Sequence, residues 1–300
     1  MEMALPYFDG AAGRVYFRAW RAPGPTSAAV IFLHGFGEHS GLYHRFGDAL
    51  TAAGIDLWAL DEIGHGLSDG PRAVIESIDD LVQNGRLLTA LADTAEPGRP
   101  IFLAGHSLGA AAAAVSASRD PSAYRGLILS GAPLSPLGWV AVLSAAGAGA
   151  TLSLSPADLS ADPFYLDELE NDPLAFTGAE GVCGLLSTLP PAWAEFRASF
   201  GRMALPVLFV HGAQDPIVPA AIARDWSARV PDGRLAEFAG ARHDVLNETV
   251  HREVAATITE FIRSVAGPVE AHLAGKIPAP ATGRISAVQP VAAACGGSYR

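Results

Sequence analysis

Short, largely apolar runs recur along the chain at residues 29–33, 55–60, 100–104, 126–129, 205–210 and 235–238. Runs of this length without polar alternation predict strands buried on both faces of a sheet. Between them, residues 77–91, 108–118, 220–230 and 248–265 place apolar side chains three and four apart, which predicts helices. Strand and helix therefore alternate, and the expected fold is α/β with a mainly parallel, doubly wound sheet. Ahead of this series, residues 15–20 follow the Asp9-Gly10 turn signal and alternate, predicting an antiparallel hairpin at the sheet edge.

The rhythm fails once, between the strand ending near Ser130 and the one beginning near Leu205. An interval of that length predicts an inserted cap between strands 6 and 7. The expected division is a core of residues 1–133 and 204–266, a cap of 134–203 and a flexible tail of 267–300, where Ala, Pro, Gly and Ser show no period. Residues 131–157 carry no charge, yet Pro133, Pro136 and repeated Gly, Ser and Thr break them up, so the expectation is an apolar insert and not a membrane span.

Half of the 300 residues are hydrophobic and 17% are charged, enough to bury a large core. The net charge of −11 argues against nucleic acid, which needs clustered Lys and Arg. Cys183 and Cys295 cannot form a disulfide framework, and no Cys or His spacing predicts a metal, so neither metal nor cofactor is expected. The N-terminus has no apolar stretch of signal-peptide length, from which a cytoplasmic location is expected.

Chemistry concentrates at Gly105-His106-Ser107-Leu108-Gly109, which stands between a predicted strand and an alanine-rich helix. A sharp strand-to-helix turn lifts a serine hydroxyl off the sheet, and glycines two residues to either side let the elements pass. Ser107 is the expected nucleophile. Asp215 follows the strand at 205–210, at the carboxyl edge where such sheets keep their chemistry, and is the expected acid; it could also serve as a turn residue. His243, between the last strand and the last helix, is the expected base, with neighbouring Asp244 as rival acid. The oxyanion donors expected are the backbone N–H groups of Leu108, directly after the nucleophile, and of Phe36, in the loop His34-Gly35-Phe36-Gly37.

The stretches His34-Gly-Phe-Gly-Glu-His-Ser-Gly-Leu-Tyr43, Asp61-Glu-Ile-Gly-His-Gly-Leu-Ser68, Gly105-His-Ser-Leu-Gly109 and Ala241-Arg-His-Asp-Val-Leu-Asn-Glu248 resemble the monoacylglycerol lipase and lysophospholipase group of α/β-hydrolases, the serine aminopeptidase S33-like hydrolases. The resemblance spans roughly residues 5–265. It implies an α/β-hydrolase fold, the same Ser107, Asp215 and His243 triad, Phe36 and Leu108 as oxyanion donors, and an apolar cap admitting one acyl chain. Gly35 and His106, with Leu137, Trp139, Val140 and Leu143 of the insert, are then the expected substrate contacts. A small lipid or ester substrate follows, with monoacylglycerol first and lysophospholipid, short-chain ester or peptide as alternatives. A non-catalytic ligand-binding role is the remaining alternative, and weak peripheral membrane contact through residues 136–154 is a further expectation.

Overall fold

The computed structural model describes residues 6–147, 150–180 and 182–267. Cys295 and the expected tail from residue 268 onward lie outside the described residues. Eight strands form one sheet in the order β1-β2-β4-β3-β5-β6-β9-β10. A hairpin of β1 (Tyr7–Gly10) and β2 (Gly13–Trp20) pairs antiparallel, and β2 joins β4 (Ile55–Leu60) antiparallel. From there β3 (Ala28–Leu33), β5 (Ile101–His106), β6 (Gly126–Ser130), β9 (Val207–Gly212) and β10 (Gly233–Phe238) continue the sheet in parallel.

Alternation along β3 explains why its sequence reads as a continuous apolar run. Ala28, Val30 and Phe32 enter one core cluster, and Ala29, Ile31 and Leu33 enter the other. The first cluster is covered by α1 (His44–Ala52) and α9 (His251–Ala266), through Phe46, Leu50, Val254 and Ile258. The second is covered by α2 (Ile78–Ala95), α3 (Leu108–Arg119) and α8 (Ala220–Arg229), through Leu81, Leu88, Ala111 and Trp226. Helices on both faces of a largely parallel sheet make this a doubly wound α/β fold, with an antiparallel hairpin at one edge.

Between β6 and β9 the chain builds α4 (Gly138–Ala145), β7 (Thr151–Ser153), α5 (Pro156–Leu159), α6 (Pro163–Asn171), β8 (Gly178–Glu180) and α7 (Cys183–Ser199). The strands β7 and β8 pair with each other as a separate small ribbon. The uncharged stretch is therefore partly buried: Leu137 and Val140 are in the core cluster, whereas Val142 on α4 is 71% exposed. Among the described residues no helix is long and apolar enough to cross a membrane.

Candidate active site

Ser107 stands alone between β5 and α3 with φ 50° and ψ −117°, a left-handed conformation that costs a non-glycine residue energy. Its N–H donates to the Ser130 carbonyl at 2.8 Å, which ties the turn to β6. The flanking glycines are needed for close approach: a Cβ on Gly105 would collide with the Gly109 carbonyl, and one on Gly109 with the carbonyls of Leu33 and His34. The hydroxyl is thereby held above the carboxyl ends of the central strands.

The loop after β9 presents Asp215. Its Oδ1 accepts the N–H groups of Ile217 and Val218, both at 2.9 Å, so the residue does organise its own turn. That leaves Oδ2 for His243, whose Nδ1 donates at 2.7 Å, with His211 Nε2 also 3.1 Å away. Burial alone would raise the Asp215 carboxyl, but the His243 imidazole and the hydrogen bonds from His211 and His243 outweigh it and hold the group well below the usual carboxylate range.

His243 comes from the loop between β10 and α9. Its Nε2 lies 2.9 Å from Ser107 Oγ, and the side chain is 2% exposed. The insertion fixes this loop, since Asp244 N–H donates to the Leu159 carbonyl at 2.8 Å. The rival acid points elsewhere: Asp244 Oδ1 accepts Leu246 N–H and Oδ2 accepts the Asn247 amide. Three residues 28 and 136 positions apart in sequence thus converge in one hydrogen-bonded chain, Ser107–His243–Asp215.

Phe36 and Leu108 line the same cavity as Ser107. The Leu108 N–H is in the first turn of α3, where no carbonyl of the helix can accept it and the dipole is positive. The Phe36 ring packs edge-on against Phe176 of the insertion at 5.3 Å and against His65 at 5.5 Å. Gly37, at φ 85°, gives its carbonyl to Phe176 N–H at 2.9 Å, while His39 Nε2 donates to Asp172 at 2.9 Å. These contacts lash the insertion to the loop after β3.

Beneath this loop lies a polar centre that sequence reasoning missed. Glu38 Oε2 accepts Gly35 N–H at 2.8 Å and the Tyr43 hydroxyl at 2.6 Å, and Oε1 accepts the Tyr165 hydroxyl of α6 at 2.7 Å. Burial, reinforced by the neighbouring Asp244 charge, pushes the Glu38 carboxyl up to about 8. Ligand atoms of Glu38, His106 and Asp244 fall within 4.8 Å of one another. Hydrogen bonds already engage both oxygens of each carboxylate, so the cluster reads as a structural hub and not a metal centre.

The raised Glu38 group favours the protonated carboxyl in the folded state. Its stabilising contribution is complete below the unfolded value near 4.5 and is lost as pH rises through about 8. E38Q removes this titration, so its melting temperature relative to the wild type is expected to climb between pH 5 and pH 9. Paired thermal melts across that range check this; a constant offset between the two proteins would show that the carboxyl does not titrate there.

The cavity over Ser107 is narrow, about 50 Å³, and mostly apolar. The insertion contributes Leu137, Trp139, Leu152, Leu154, Leu185 and Leu189, and the loop after β9 adds Ile217 and Val218. Of the expected contacts, Gly35, His106, Leu137 and Trp139 line it. Val140 does not: it is 2% exposed and faces the core, one helix face away from Trp139. Leu143 instead borders a neighbouring groove on the outside of the insertion. Leu152, Leu154, Leu185 and Leu189 were not expected, because nothing in a Gly- and Ala-rich segment phases its leucines towards a distant serine.

The sequence profile of the serine aminopeptidase S33 family matches residues 24–250. A monoacylglycerol lipase of Mycolicibacterium smegmatis is 30% identical over 275 residues, covering 86% of this chain and 96% of that protein. Human monoglyceride lipase is 28% identical over 271 residues, covering 83% and 85% respectively. A crystal structure of Paleococcus ferrophilus monoacylglycerol lipase superimposes with a TM-score of 0.70 at 28% identity, covering 83% of this chain and 98% of that one. With its profile match spanning most of the sheet and both flanking loops, this chain is a serine hydrolase and belongs to the serine aminopeptidase S33 family of α/β-hydrolases.

Proposed function

We propose that the protein hydrolyses monoacylglycerols to a fatty acid and glycerol, with Ser107 as nucleophile, His243 as general base and Asp215 as orienting acid. The observation that carries this reading is the Ser107–His243–Asp215 hydrogen-bonded chain, at 2.9 and 2.7 Å, opening onto an apolar cavity. Residues 134–203 act as its cap over a core of 1–133 and 204–266.

In the first half-reaction His243 Nε2 accepts the Ser107 proton as Oγ attacks the ester carbonyl. Charge develops on the carbonyl oxygen and is met by the N–H groups of Phe36 and Leu108. Collapse transfers the His243 proton to the departing glycerol oxygen and leaves an acyl-Ser107 ester. Water, deprotonated by His243, then attacks that ester; the acyl C–Oγ bond breaks, His243 returns the proton to Ser107 Oγ, and the fatty acid leaves. Throughout, Asp215 keeps the Nδ1–H tautomer in place and stabilises the transient imidazolium.

The names of the relatives support a glyceride ester, and the apolar lining supports a single acyl chain with an uncharged head group, since among the described residues no Lys or Arg lines the cavity. Purified protein is expected to hydrolyse monoacylglycerol at least tenfold faster than the matched triacylglycerol or lysophospholipid. Measuring fatty-acid release across that panel checks the assignment, and equal rates on mono- and triacylglycerol would overturn it.

A further inference from the structure

Trp139, Leu152, Leu154 and Ile217 line two spaces at once, the cavity over Ser107 and a groove on the outer side of the insertion. Residues that border both spaces stand between them and form a partition. Beyond it the groove is bounded by Val142, Leu143 and Pro216, with the Val142 side chain largely in solvent. The partition is pinned at its largest member: Trp139 Nε1–H donates to the Ile217 carbonyl at 3.1 Å. Ile217 is held in turn by its own N–H bond to Asp215 Oδ1, so the indole is anchored to the rigid turn that carries the acid.

We propose that Trp139 is a specificity-determining residue that ends the acyl pocket and sets the longest chain the site accepts. The inference rests on the ester-hydrolase reading above and deepens it. A chain entering from Ser107 between the leucines of the insertion meets the indole, and an apolar groove continues on its far side. Removing the indole joins the two spaces and gives additional methylenes an apolar surface to cover. Each further buried methylene raises kcat/KM by up to about fourfold, so a few extra carbons alter the preference strongly.

The test measures kcat/KM for p-nitrophenyl esters from C4 to C16 with the full chain and with W139A, W139F and I217A. The ratio of C16 to C8 within each protein is the readout, which cancels any general loss of activity. W139A is expected to raise that ratio at least tenfold, and I217A, which thins the partition from the facing side, to raise it less. W139F keeps most of the bulk and is expected to stay near the wild-type ratio. If W139A does not fold, I217A decides. An unchanged ratio in W139A, or in I217A where it decides, with esters still turned over, overturns the proposal. A wild type inert towards every ester instead overturns the ester-hydrolase reading. In that case calorimetric binding of C8 and C16 fatty acids reads the partition directly, with tighter C16 binding in W139A expected and an unchanged affinity ratio overturning it.

Discussion

S107A is expected to lower kcat on a p-nitrophenyl ester by on the order of 10⁵, with melting temperature and far-ultraviolet circular dichroism close to wild type. The size follows from what the hydroxyl alone supplies. Without Oγ no acyl-enzyme forms, and His243 can only activate water at a site built to present a serine. The fold tolerates the change because Ala at 107 keeps the backbone N–H bond to Ser130 and occupies the same turn. The strained φ of 50° remains, so the substitution does not relieve the elbow. Steady-state kinetics on enzyme free of wild-type contamination measure the loss, and residual activity within tenfold of wild type would exclude Ser107 as nucleophile.

D215N is expected to cost on the order of 10⁴ in kcat while leaving KM little changed. The new amide keeps an oxygen for the Ile217 and Val218 N–H groups, so the turn survives. Facing His243, however, it presents an N–H where a carboxylate oxygen stood, which forces the imidazole to carry its proton on Nε2. In that tautomer His243 cannot accept the Ser107 proton. D244N leaves both hydrogen bonds of the triad intact and is expected to lose less than about tenfold. The pair of variants separates the two adjacent-loop acids, and a larger loss in D244N than in D215N would reverse their roles.

The central strands were readable because each is buried on both faces, so burial leaves a largely apolar run; β4 begins and ends where the run at 55–60 does, with the buried, Arg99-paired Asp56 as its one charged position. The positions of Ser107, Asp215 and His243 were readable for a related reason. Each follows a strand at its carboxyl end, and the parallel topology brings those ends to one edge. The insertion was not readable. Its longest helix, α7, contains Pro190 and Pro191, and α4 is so uniformly apolar that no face stands out. This is why Val140 was expected at the cavity and is found in the core. The Glu38 centre escaped because its partners, Tyr165 and Asp244, lie far along the chain and come together only when α6 docks. The helix α1 escaped too, since its nine residues bury only Phe46, Gly47 and Leu50.

The amide of Phe176 grips the Gly37 carbonyl and the carboxylate of Asp172 grips the His39 side chain, one and three residues from the Phe36 amide that would polarise the ester. An insertion stitched there cannot swing away as a rigid plate with both bonds kept and leave that loop in place. Uncovering Ser107 in that direction would either break these two bonds or carry the Phe36 amide along with the departing segment.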